Sequence, residues 1–137
     1  MKIARTLTLS LLIFIVLILS LIYSIQVNQA NDGQMQMHNN AKDMKQEILK
    51  SIPIGSNLAD AQKFMESNDF QCTKQEKTSF LEMDDHESKG LHNNIDYLYC
   101  DKELSAESFC SRRWQIALVY DGDVVADILV STGLICL

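Results

Sequence analysis

Between Thr6 and Ile25 the chain runs for 20 residues without a charge, mostly Leu and Ile. A bilayer core about 30 Å thick takes about 20 helical residues to cross, so the run is long enough to span it. It also removes the N-terminal residues from any water-soluble core and leaves roughly 105 residues, enough for one domain of ordinary size. Lys2 and Arg5 precede the run and no acid appears before Asp32. Positive flanks stay on the cytoplasmic side, which places the N-terminus inside and the remainder outside. The alternative is a secretory signal removed after Ala30; against it, the apolar region exceeds the usual length and Asn28 is not the small residue such sites prefer. The expected organisation is a transmembrane helix in 1–27, a flexible polar stalk in 28–40 and an extracytoplasmic domain in 41–137. The location is a bacterial cytoplasmic membrane crossed once through residues 6–25.

The outer part carries all 18 acids and ten of the 12 bases, a formal charge of −8. Nucleic acid and anionic lipid are polyanions, which argues against both as partners. All four cysteines, Cys72, Cys100, Cys110 and Cys136, lie in this part. An even count in an oxidising compartment reads as two disulfides. Zinc-type C-x2-C spacing is absent, which weakens a metal reading. Four cysteines allow three pairings. The expected one is Cys100–Cys110 with Cys72–Cys136, because Cys100 closes one candidate strand and Cys110 opens the next.

In Ala41–Ile52, Met44, Ile48 and Ile52 recur at helical spacing, and Pro53 ends the pattern. Gly55 provides a corner. Asn57 is a candidate N-cap for a helix over Leu58–Ser67, with Asp60 at its third position, placed to reach back to the cap backbone. Leu58, Ala61, Phe64 and Met65 share one face. Beyond Asp69 the period changes to two. Phe70–Thr73, Ile95–Cys100, Arg113–Tyr120, Val124–Val130 and Gly133–Leu137 are strand candidates, with 74–94 read as a long polar loop and 101–107 as a polar connection. The expected fold is α+β: two helices packed on an antiparallel sheet of about four strands. In the last hairpin, Trp114, Ile116, Leu118 and Tyr120 should share the buried face with Val124, Ala126, Ile128 and Val130. A three-residue Asp121-Gly122-Asp123 loop, or a bulge, then pairs Ile116 with Ile128 and Trp114 with Val130 and leaves Asp127 exposed.

The stretch Ile52-Pro53-Ile54-Gly55-Ser56-Asn57-Leu58-Ala59-Asp60-Ala61, followed by Phe64-Met65, resembles the approach to the second helix in the BamE/SmpA and β-lactamase-inhibitor-protein-like family. The Trp114–Val130 hairpin is similar to that family's strand–turn–strand. The resemblance covers 41–137 as element order and about a dozen residues as motif. It implies an envelope domain that binds other proteins. The chain lacks the lipid-attachment cysteine of BamE-type lipoproteins and carries four of its own, so membership of the barrel-assembly machinery is not implied.

Chemistry-bearing groups are sparse. Met35, Met37, His38 and Met44 are soft donors suited to Cu(I), set against a solvated linker with Met44 in the helix core. Asp84-Asp85-His86-Glu87 with His92 lacks the spacing of a calcium loop; a solvated acidic loop tip is the plainer account. His86 or His92 could serve as a base only beside a nucleophile, and none is nominated. Neither a nucleophile elbow nor a phosphate or dinucleotide fingerprint occurs. No cofactor, metal or catalytic residue is therefore expected. Tyr97, Tyr99, Arg112 and Arg113 are the candidate interface residues, the tyrosines because Tyr and Trp are enriched at binding hot spots and the arginines because the pair beside Cys110 could form a small anion contact; the alternatives are core packing for the tyrosines and a solvated strand start for the arginines. The expected function is a membrane-tethered, non-enzymatic domain that binds another envelope protein. The alternatives are an inhibitor or immunity-type protein acting on an extracytoplasmic hydrolase through 74–94, and a small hydrolase.

Overall fold

A computed structural model of the protein describes residues 33–85, 87–105 and 109–136, together with Ile18. Apart from Ile18, the expected span at 6–25 lies outside the described residues. Among the described residues no helix is long and apolar enough to cross a membrane. The chain divides at Gln34/Met35 into two units, and the second is an α+β domain. It runs α1 (Ala41–Ser51), α2 (Leu58–Ser67), β1 (Gln71–Asp84), β2 (Glu87–Leu104), β3 (Cys110–Asp121) and β4 (Val124–Cys136).

Both helices form where caps and period place them. Asn40 accepts from the Asp43 N–H at the start of α1. Asn57 accepts from Ala59 and Asp60 N–H at the start of α2, satisfying donors that have no partner within the helix. Asp60 does not make the expected reciprocal bond to the cap; its carboxylate lies 4.0 Å from Lys63 Nζ. Met44, Ile48, Ile52, Leu58, Ala61 and Met65 are buried against the sheet. Gly55, at φ +91°, takes a left-handed conformation that a side chain would strain. This lets the Gly55–Leu58 backbone pair with the start of β4: Gly55 N–H donates to Val125 O, and Leu58 N–H to Asp123 O, both at 2.8 Å.

The strands form an antiparallel meander, β1-β2-β3-β4, which curls until β1 meets β4 at one bridge pair, Asp84↔Thr132. Four features of the strands depart from expectation. First, 74–94 is no loop: β1 and β2 pair along it as a long hairpin, from Gln71↔Asp101 to Asp84↔Glu87. Its exposed stretches are polar on both sides, so the alternation that marks a half-buried strand is missing. Second, the expected strand at Gly133–Leu137 is the continuation of β4 through Cys136.

Third, the last hairpin turns through two residues, Gly122-Asp123, with Asp121 paired to Val124. A bulge then leaves Ala126 unpaired, and Ile116 faces Val130 while Leu118 faces Ile128. A bulge exchanges the faces of all that precedes it on its strand. Val125 is therefore buried with Ile128 and Val130, while Val124 and Ala126 are exposed. Trp114, Ile116 and Leu118 are fully buried beneath the helices as expected, and burial overrides the pairing that would have taken Asp127 inside.

Fourth, the disulfides are Cys72–Cys100 and Cys110–Cys136, not Cys100–Cys110 and Cys72–Cys136. Each joins residues directly opposite one another on neighbouring strands, with Cα atoms 4.1 and 4.0 Å apart. Cys100 lies opposite Ile116, six residues along β3 from Cys110, or about 20 Å at strand spacing. A disulfide needs Cα atoms within about 7 Å.

The expected stalk also ends earlier than residue 40. Met35 is buried in the core and Met37 packs on it. Met35 N–H donates to Asn68 Oδ1 at 2.7 Å, and Gln36 N–H to Glu47 Oε1 at 3.3 Å.

Candidate functional site

The two faces of the sheet differ. Leu98, Cys100, Trp114, Ile116, Leu118, Val125, Ile128 and Val130 lie on the helix-covered side. On the other, Phe80, Tyr97, Ala117 and Leu129 form a smaller buried cluster, with Ile95, Tyr99 and Val119 packed against it. Beyond this cluster the uncovered face carries a ladder of diagonal pairs between β2 and β3. Gln115 Nε2 donates to Tyr99 Oη, Arg113 grips Asp101 through two bonds of 2.8 and 3.0 Å, and Ser111 Oγ donates to Glu103. The Asp101 carboxylate holds the Arg113 guanidinium above its ordinary range.

The four candidate interface residues thus occupy different settings. Tyr97 is buried edge-on to Phe80, its hydroxyl donating to Ser79 O at 3.1 Å; little of it is left for a partner. Tyr99 and Arg113 stand in the ladder. Arg112 reaches across to the tip of the β1–β2 hairpin, donating to Asp85 Oδ1 at 2.7 Å and Thr132 Oγ1 at 3.2 Å. Tyr120 packs at the margin of the core, and burial, with Asp96 and Glu76 nearby, raises its phenol pKa.

The three methionines of the soft-donor group, Met35, Met37 and Met44, belong to the apolar core cluster. Met35 and Met44 are buried in the core, and His38 lies 3.5 Å from Glu47. The Lys50 ammonium bonded to Glu47 holds that carboxyl below its usual value against the opposing effect of burial, with Gln36 N–H adding to the lowering. His86 lies outside the described residues. His92 Nε2 sits 3.0 Å from Glu82 Oε2, and Glu82 Oε1 accepts from Val130 N–H at 3.3 Å. Among the described residues no three His, Cys, Asp or Glu side chains converge as a metal site.

The strands close into a barrel where β1 meets β4 at Asp84↔Thr132, and backbone donors along these two strands are taken by side chains. On β4, the Ile128 N–H is taken by the Asp127 carboxylate and the Val130 N–H by Glu82. On β1 the ladder is broken between Gln75 and Thr78, and Lys77, at φ +50°, gives its N–H to Asp96 Oδ1. Charges and bulges of this kind prevent edge-to-edge pairing. Contact with another protein is left to side-chain surfaces. Leu81 and Leu91 face each other across the β1–β2 hairpin and are 43 % and 60 % exposed, making an apolar cross-strand pair on an otherwise polar ribbon. Both lie in the stretch expected to be a loop, where no apolar period singles them out. Their near-symmetric placement about Asp85-His86 was the available signal. A second apolar group, Phe109, Leu134 and Ile135, lies at the Cys110–Cys136 end of the sheet.

No family model, curated protein or solved structure matches the chain.

Proposed function

We propose that this is a membrane-tethered, non-enzymatic extracytoplasmic domain that binds another envelope protein through the outer face of its β1–β2 hairpin. The observation that carries the reading is the exposed Leu81–Leu91 pair. Two leucines opposed on a ribbon, paired in register from Phe80↔His92 to Glu82↔Gly90, form an apolar anchor, and polar surroundings of this kind are typical of an interface rim. The two disulfides support an oxidising compartment. The uncharged run with its basic N-terminal flank supports the tether and its orientation. The resemblance to BamE/SmpA and β-lactamase-inhibitor-protein-like domains supplies the class of partner.

The inhibitor reading would have the 74–94 segment block a hydrolase, its turn leading. Against it, Asp84 Oδ1 accepts from Ala41 N–H and Asp85 binds Arg112, so the tip is tied to its own domain.

A photo-crosslinking residue at Leu91 of the full chain in cells should yield one discrete protein adduct, lost with Leu81→Asp. The same group at Lys63, on the exposed side of α2, should yield none. Equal labelling from both positions, or none from Leu91, refutes the surface. A reporter fused after Leu137 that is active only in the cytoplasm refutes the compartment.

A further inference from the structure

We propose that the end of the sheet carrying Phe109, Leu134 and Ile135 rests in the interfacial layer of the bilayer that holds the chain. This inference rests on the tethered reading above. Phe109 is 85 % exposed, Leu134 45 % and Ile135 43 %. Leu134 and Ile135 are consecutive on β4 and so point to opposite faces. The apolar surface therefore wraps around a tip, a shape suited to shallow insertion, in contrast to the flat pair on the hairpin.

The place where the tether reaches the domain selects the occupant. Met35 N–H is bonded to Asn68 Oδ1, and Lys102 Nζ to Asn68 O. Lys102 lies in the row Lys102–Trp114–Thr132 across β2, β3 and β4. Leu134 is two residues beyond that row and Cys110–Cys136 four beyond it, distances of about 7 and 13 Å along the strands. Only seven residues, 28–34, separate Val27 from Met35. Fully extended they reach roughly 25–30 Å, so the tip lies within reach of the surface in which the apolar run ends. The other exposed apolar pair at a sheet end, Ile54 and Val124, is at the opposite end, where Gly55 bonds Val125.

Desolvating the tip is made easier because its arginines are matched, Arg112 with Asp85 and Arg113 with Asp101. Glu103, whose described hydrogen bond is from Ser111, makes the fit one to zwitterionic rather than anionic lipid.

The full chain is reconstituted into phosphatidylcholine vesicles containing acyl-chain-brominated phosphatidylcholine, as Phe109→Trp and separately as Ile54→Trp. Both sites are exposed, and the native Trp114 is fully buried and gives a common background. Bromine should quench the Phe109→Trp signal at least about twofold more strongly than that of Ile54→Trp, since an interfacial side chain sits about 5–10 Å into the headgroup and acyl boundary. Replacing half of the lipid with phosphatidylglycerol should weaken the quenching. Protein that floats with the vesicles after a high-salt wash but shows no quenching at 109, or equal quenching at 109 and 54, overturns the tip contact and spares the tether. Failure to float overturns the tether, and this inference with it.

Discussion

Beneath α1 and α2 the sheet buries side chains from three strands and from both helices in one cluster, and Trp114, Ile116, Leu118 and Ile128 lose all contact with solvent. On the opposite face, among the described residues, the buried apolar cluster is smaller, Phe80, Tyr97, Ala117 and Leu129, without a helix over them. They are enclosed because the β1–β2 hairpin curls until Asp84 meets Thr132. One face is sealed by a separate layer and the other by the sheet bending upon itself. The second mode needs less apolar surface, and it leaves room on the same face for polar pairs such as Arg113–Asp101. A face sealed by curvature depends on the ladder and bulges that set the bend, whereas a face sealed by helices depends on the volume that fills the gap.

The largest test of that contrast is a pair of neighbours. Ile128→Ala should cost about 2–5 kcal/mol in chemical denaturation. Leu129→Ala, equally buried but on the curled face, should fall at the low end of that range of about 2–5 kcal/mol because the hairpin can settle onto the gap. A larger loss for Leu129→Ala would make the smaller cluster the dominant one.

The disulfides come next. They close loops of similar length, with sequence separations of 28 and 26, so removing either should cost a similar amount, about 2–4 kcal/mol. Their accessibility differs: Cys100 is fully buried, whereas Cys136 is exposed. Under mild reductant, alkylation mapping should find Cys110 and Cys136 labelled first. Earlier labelling of Cys72 and Cys100 would mean that the β1–β2 hairpin opens before the end of the sheet does.

Tyr97→Phe removes the hydroxyl that bonds Ser79 O across the curl and should cost about 1 kcal/mol. No measurable change would show that the curl does not depend on this bond.

The smallest effect concerns Glu47, which holds the 36–38 segment against α1. Its folded pKa lies below the ordinary 4.5. Its contribution is therefore present above that value and is lost as pH falls through the folded pKa. Against Glu47→Gln, the wild type should be more stable near neutrality by up to about 1 kcal/mol, with the difference vanishing in acid. A difference that persists at low pH would assign it to packing rather than charge.

Much of the helix-covered face was legible in the sequence. Met44, Ile48 and Ile52 at helical spacing, Asn57 as a cap, and the two-residue alternation of Trp114 to Leu118 all name buried positions, because one-sided burial leaves a period in the chain. Leu98 and Cys100 against Ile95, Tyr97 and Tyr99 were also separable by alternation, and the structure places the two sets on opposite faces. The β1–β2 ribbon was not legible, since residues such as Lys74, Glu76, Lys77 and Ser79 are exposed and no period records which way they point. For the same reason Leu81 and Leu91 looked incidental.

The sequence by itself determined two helices, one with its cap at Asn57, the strands of the last hairpin, the buried face of Trp114, Ile116 and Leu118, and the presence of four cysteines in one segment. Only the tertiary structure decided which cysteines join, how the hairpin is registered and where the apolar surface remains open. Helical period and capping are local and can be read from neighbours in the chain. Register is cumulative: the extra residue at Ala126 and the break between Gln75 and Thr78 each shift every later pairing. A disulfide tolerates an error of hardly one residue, so its pairing is fixed only when all the shifts are known.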